Sequence, residues 1–164
     1  MRARGLVMPM LVVLVGRPGS QEPPPTPDRL PRVAGIALTD SAGTVRTALG
    51  PPERQQEFLG FIAWDYERRG LTVMWDRDTR ALRTMVLNKR VAGDVEGVRV
   101  GDSVAVAARQ WGTPVRKRQR GRFLDFVRRG LATSVEVHQG RIVEITLTVA
   151  PAGQNGKDQR RMRS

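Results

Sequence analysis

The feature that most constrains the fold of this 164-residue chain is that its middle repeats itself. Asp40-Ser41 precedes Gly50-Pro51-Pro52 by the same spacing as Asp102-Ser103 precedes Gly112-Thr113-Pro114, with the second set 62 residues further on. Asp65-Tyr66-Glu67-Arg68-Arg69-Gly70-Leu71 matches Asp125-Phe126-Val127-Arg128-Arg129-Gly130-Leu131 at a step of 60 residues. That step also carries Asp76 onto Glu136, Leu82 onto Ile142, Met85 onto Ile145 and Leu87 onto Leu147. The change of two residues falls between a helical and an extended segment, where insertions are tolerated. An ordered series of matches reads as a tandem duplication.

Each copy parses alike. Asp40 or Ser41 is placed to cap a short helix by accepting first-turn N–H groups. Val45, Ala48 and Leu49 share one face of it, Gly50 ends it, and Pro51 and Pro52 block its continuation. In the second copy Asp102 caps, Val104, Ala108 and Trp111 form the face, and Gly112 and Pro114 close the helix. Period-two alternation then predicts strands. Ile62, Trp64 and Tyr66 alternate with Ala63, Asp65 and Glu67, and Leu71, Val73 and Trp75 alternate with Thr72, Met74 and Asp76. A third strand runs over residues 81–87, and the second copy has strands over 122–127, 131–137 and 141–149. The expected fold is α+β, in two tandem repeats, each a short helix packed on a three-stranded antiparallel meander. A unit of about 57 residues is marginal alone, so the two are expected to share one core or one continuous sheet.

Outside the repeat, Arg2 and Arg4 precede an apolar stretch over residues 5–15, the layout of a secretory signal peptide. Five prolines between positions 23 and 31 enforce extended backbone and make a linker. The last residues carry Lys157, Arg160, Arg161 and Arg163 without apolar periodicity, which predicts disorder. The chain thus divides into a signal peptide (1–20), a Pro-rich linker (21–35), unit one (36–95), unit two (96–150) and a basic tail (151–164).

A capped helix ending in Leu49-Gly50-x-Pro52, then Trp64-x-Tyr66, then Gly70-Leu71-x-Val73-x-Trp75-Asp76, resembles the SmpA/OmlA, or BamE-like, domain of small outer-membrane assembly lipoproteins. The second unit keeps Gly101-Asp102, Gly112, Pro114, Phe126, Gly130 and Leu131 and has Val135-Glu136 for the Trp-Asp pair. Two such units in tandem are similar in architecture to the secreted β-lactamase inhibitory proteins. The resemblance spans about residues 35–150 and implies an assembly or inhibitory role without catalysis.

Composition closes off much chemistry. With no Cys there is no disulfide framework, thiolate cluster or thiol nucleophile, and with His138 alone there is no His-rich metal site. His138 sits beside a turn at Gln139-Gly140, with Glu136 two residues away on the same strand face but no other element of a site converging there. Asp65 and Asp125 are expected to pair with Arg69 and Arg129 across a tight turn, and Asp76 and Asp78 form only a fragment of a calcium loop. No enzyme, no cofactor and no metal site are expected.

Two surfaces stand out. The face expected to be open offers Leu59, Phe61, Met74, Leu82 and Val86 in unit one, against Ala132, Ser134, Glu136, Glu144, Thr146 and Thr148 in unit two. An antiparallel sheet covered on one side should be polar on the other, so the apolar residues mark a binding face. Residues 116–122 hold five basic side chains, Arg116, Lys117, Arg118, Arg120 and Arg122. Residues 36–95 carry nine basic and eight acidic side chains, and 96–150 carry ten and five, so positive charge is local to the second half. The arginine excess runs through helices, turns and tail alike, so the net charge of +12 is not itself a nucleic-acid signal. The expected function is an exported cell-envelope or extracellular protein-binding module. It would contact a partner through Phe61, Met74, Leu82, Val86 and Phe123, with the basic loop steering acidic surfaces. The alternative is a cytoplasmic nucleic-acid or polyanion binder using the basic loop and tail.

Overall fold

Alternating apolar residues separated by Gly-containing turns form strands, and the strands assemble into one sheet. The computed structural model describes residues 30–149 except Leu59 and Arg129. The expected signal peptide, most of the linker and the basic tail lie outside the described residues, as does Leu59. Helix α1 is Ala42–Leu49 and α2 is Val104–Trp111. The strands are β1 (Arg54–Phe58), β2 (Phe61–Tyr66), β3 (Leu71–Asp76), β4 (Leu82–Leu87), β5 (Arg116–Arg118), β6 (Phe123–Arg128), β7 (Leu131–His138) and β8 (Arg141–Val149).

These strands form a single eight-stranded antiparallel sheet in the order β1-β2-β3-β4-β8-β7-β6-β5. This overturns the expectation of two units, each a helix on a three-stranded meander. The connections after each helix are themselves strands, β1 and β5, and they take the two outer edges. Their sequences, RQQEF and RKR, have no apolar alternation because an edge strand over solvent has no core to reach. The halves are fused at β4 and β8, where Met85 faces Leu147 and Leu87 faces Ile145. All four of these side chains are fully buried.

The helices cover one face. Ser41 Oγ accepts the Thr44 N–H and caps α1, and Gly50 and Gly112 end the two helices. Asp40 and Asp102 do not cap. Each accepts a backbone N–H three residues earlier, from Ala37 and Arg99, and closes the loop ahead of its helix. Helix α1 buries Val45 and Leu49; α2 buries Ala107 and Trp111, with Ala108 exposed. The rotation of α2 is set by Trp111, which packs edge-on against Phe126 at 5.3 Å and donates its indole N–H to Val95 O at 3.2 Å. Two short bridges, Val33–Ile36 and Val95–Val98, add four buried residues to the same core. The chain is therefore already in the core at Val33, before the expected end of the linker at residue 35.

Two bulges change which side chains face inward. The register shifts between Met74 and Trp75 and again between Glu136 and Val137. A bulge inserts a residue and inverts the alternation beyond it. Leu82, expected on the open face, is consequently in the core at 3% exposure. Val143 is at the surface beside the second bulge, and Ile142 is buried.

Candidate functional site

The sheet face away from the helices is where register brings sequence-distant side chains together. Residues directly opposite on neighbouring strands stand about 4.5–5.5 Å apart and act as one surface. One row across this face reads Gln56, Ala63, Met74, Thr84, Thr148, Ala132 and Val127. The next reads Arg54, Asp65, Thr72, Val86, Thr146, Ser134, Asp125 and Arg116. The four middle strands give both rows only uncharged, half-buried side chains. The Thr84 and Thr148 hydroxyls lie 3.3 Å apart across the β4–β8 seam. Arg and Asp stand at both outer ends.

Phe61, Met74 and Val86 lie on this face as expected, each half-buried, with Phe58 beside Phe61 and 44% exposed. Phe123 is on the same face but on β6, five strand spacings from β2, or about 24 Å. It forms a separate corner. The guanidinium groups of Arg118 and Arg122 lie 5.1 and 5.5 Å from its ring centre.

The basic segment is not one patch. Strand β5 sends Arg116 and Arg118 to the open face and Lys117 to the other, because successive strand residues point in opposite directions. Arg118 makes a bidentate pair with Asp125, both contacts 2.8 Å, and reaches Ser134 Oγ at 3.1 Å. Arg122 pairs with Glu136 at 2.9 Å through its Nε. Arg116, Lys117 and Arg120 remain exposed at the sheet edge. The carboxylate partners expected from sequence differ for Asp65, while Arg129, the partner expected for Asp125, lies outside the described residues. Asp125 is held by Arg118, and Asp65 accepts from Thr72 Oγ1 at 2.8 Å and Gln56 Nε2 at 3.1 Å. Asp76 closes a turn by accepting the N–H groups of Asp78 and Thr79. His138 is exposed at the end of β7.

Hydrogen bonding from Arg118 holds the Asp125 carboxyl below its ordinary range, against the opposing effect of burial. A carboxyl depressed in the folded state contributes stability that is present above its unfolded value, near pH 4, and is lost as pH falls through the folded value. Arg118→Gln is expected to cost about 1 kcal/mol at neutral pH, as a partly exposed pair should. Urea midpoints of the two proteins should converge below about pH 4. An equal gap at pH 7 and pH 3 would show that Arg118 acts by packing on Phe123 instead.

What sequence reasoning missed is the charge-free centre. Thr84, Thr146, Thr148 and Ser134 look like ordinary solvated positions until the β4–β8 pairing sets them beside Met74 and Val86. Only that long-range register carries the signal. Among the described residues, no helix is long and apolar enough to cross a membrane, and no group of three or more His, Cys, Asp or Glu side chains is placed to hold a metal.

No family model and no curated protein matches the chain. Its fold is similar to an extracellular protein containing an SCP domain from Bacillus anthracis, with TM-score 0.55 and 8% identity over 84% of this chain and 50% of that one. It is similar also to a cysteine-rich secretory protein from Staphylococcus aureus, with TM-score 0.56 and 9% identity over 73% of this chain and 47% of that one. The chain spans about half the length of each. A DUF4309 family protein from Bacillus subtilis aligns over 67% of this chain and 78% of that one, with TM-score 0.45 and 15% identity. At these identities the likeness concerns the fold alone.

Proposed function

We propose that this chain is a non-catalytic, exported protein-binding module that docks a partner protein on the open face of the sheet. The observation that carries the reading is the distribution of charge on that face. Thr72, Met74, Thr84, Val86, Thr146, Thr148, Ala132 and Ser134 form an uncharged centre, with Arg54 and Asp65 on one side, the Arg118–Asp125 ion pair on the other, and Glu136 and Glu144 at one end. Protein interfaces share this anatomy, with charge depleted at the core and a polar, Arg-containing rim.

Export is supported by the basic and apolar start of the sequence and by the extracellular nature of the two fold neighbours with SCP or secretory descriptions. The resemblance of Trp64-x-Tyr66 and Gly70-Leu71-x-Val73-x-Trp75-Asp76 to the SmpA/OmlA domain supports an assembly or inhibitory role. Arg116, Lys117 and Arg120 would steer an acidic partner toward the face. The polyanion reading is weaker, since two of its five cations are occupied by Asp125 and Glu136.

A photo-crosslinking residue at Thr84, compared with one at exposed Arg109 on α2, tests the reading in the native host. Discrete adducts to one protein from position 84, recovered outside the cytoplasm and lost on adding Val86→Lys, are expected. Adducts that do not differ between positions 84 and 109, or a protein retained in the cytoplasm, would sink it.

A further inference from the structure

We infer that a cavity beneath the first turn of α1 is a binding site for a small carboxylate. The cavity measures about 60 Å³ and is lined by Ala42, Gln55, Ile62, Trp64, Trp75 and Arg80. One ordered water needs about 10–15 Å³ on this measure, so the space suits a ligand of roughly four to six non-hydrogen atoms.

The lining is unusual for a core. Trp64 and Trp75 meet edge-on at 5.3 Å and are 9% and 2% exposed. The indole N–H of each is buried without a hydrogen-bond partner among the described residues. A fold normally satisfies such a group, as it does for Trp111, whose N–H reaches Val95 O. Nor does the sheet need indoles here, for β6 and β7 carry Leu124 and Val135 on the same covered face. Two indoles with orphan donors therefore line the same cavity.

Every other polar contribution favours negative charge. Ala42 is the first residue of α1, where backbone N–H groups lack intrahelical acceptors and the helix dipole is positive. Arg80 lines the cavity, has no ion pair among the described residues and is exposed, so it marks the mouth. Gln55 adds a carboxamide, and Arg46 lies over the Trp64 ring at 5.2 Å. No carboxylate lines the space; Glu57, opposite Ile62, is exposed and outside it. A planar carboxylate offers two acceptor oxygens to two indole donors, while Ile62 and the ring faces take a short apolar tail. Phosphate and sulfate would leave those apolar walls unused.

The indole N–H resonances of the full-length protein, read by proton–nitrogen NMR during titration with butyrate at constant ionic strength, test the assignment. Those of Trp64 and Trp75 are expected to shift downfield and saturate with a Kd of about 1–10 mM, while that of Trp111 stays in place as an internal control. Butyramide and sodium chloride should bind at least tenfold more weakly. Arg80→Gln should weaken butyrate about tenfold with no change in the unfolding midpoint, since Arg80 is exposed. A dipeptide with a free C-terminus, measured beside its amide, separates the two sources of the group: tighter binding than butyrate points to a chain terminus, weaker binding to a free acid. Unmoved Trp64 and Trp75 resonances at 100 mM butyrate, an equal response to chloride, or an unchanged Kd in Arg80→Gln would overturn the site. None of these outcomes depends on the open sheet face, so this inference and the docking surface fail separately.

Discussion

Replacing Phe126 by alanine is expected to destabilise the whole chain by about 3–5 kcal/mol, the usual cost of deleting a buried aromatic ring. Phe126 is 1% exposed on β6 and supports Trp111 edge-on at 5.3 Å. Its loss opens a cavity between the sheet and α2 and frees the ring that orients that helix. Stabilities of single domains are about 5–15 kcal/mol, so much of the margin disappears. The consequence should reach the far end of the molecule. Because β4 and β8 pair through Met85–Leu147 and Leu87–Ile145, the core is continuous across both halves. Following the three indole resonances through a urea titration, Trp64 and Trp75 should lose their native signals at the same lowered midpoint as Trp111. If the Trp64 and Trp75 signals keep the wild-type midpoint while Trp111 unfolds early, the halves are independent and the seam contributes little.

Gly70→Ala should cost about 2–4 kcal/mol from a single added methyl group. Gly70 joins β2 to β3 in the left-handed region, at φ 61° and ψ 37°, where an L residue with a Cβ is penalised by about 1–2 kcal/mol. An alanine Cβ there would lie 2.3 Å from Lys89 Cβ and 2.9 Å from Lys89 N. Backbone cannot swing away like the end of a flexible side chain, and overpacking of this kind costs about 1–3 kcal/mol more. The approach is tight because Asn88 N–H donates to Gly70 O at 2.9 Å and Lys89 Nζ donates to Glu67 O at 2.7 Å, tying the turn to the chain leaving β4. Gly140→Ala is the control, since Gly140 also has positive φ but nothing within 4 Å of the added atom. Thermal or urea unfolding should rank Gly70→Ala clearly below Gly140→Ala, which should lose only the backbone penalty of about 1–2 kcal/mol. Equal losses would show that backbone conformation alone accounts for both.

How much of this was readable in advance follows from what each residue touches. Strands β2, β3, β4, β6, β7 and β8 announce themselves because one side of each packs on a core, which forces apolar residues to every second position. Strands β1 and β5 are invisible by that criterion. Their conformation is imposed by hydrogen bonds to β2 and β6, and nothing in RQQEF or RKR encodes the pairing. Periodicity puts Leu82 on the open face, whereas the structure buries it. Leu82 lies just past a bulge, and extrapolating a period of two through an extra residue inverts the result. The open face was half legible. Phe61, Met74 and Val86 stood out as apolar residues on a side that should be polar, whereas Thr84, Thr146, Thr148 and Ser134 acquire meaning only beside them. The five basic residues at 116–122 looked like one feature, yet β5 divides them between two faces, and Asp125 and Glu136 hold two of them.

Taken alone, the sequence determined the local elements: two short helices closed by Gly50 and Gly112, six alternating strands, and the turn glycines between them. Those follow from the conformational limits of a few residues and from periodicity, both of which act over a handful of positions. Tertiary structure decided which strands became neighbours. The β4–β8 seam joins residues about 60 positions apart, so no local pattern prescribes it. That one pairing makes two meanders a single eight-stranded sheet and creates the uncharged centre of its open face. It is favoured because both strands bury Met85, Leu87, Ile145 and Leu147 on one side while neither has another partner along that edge.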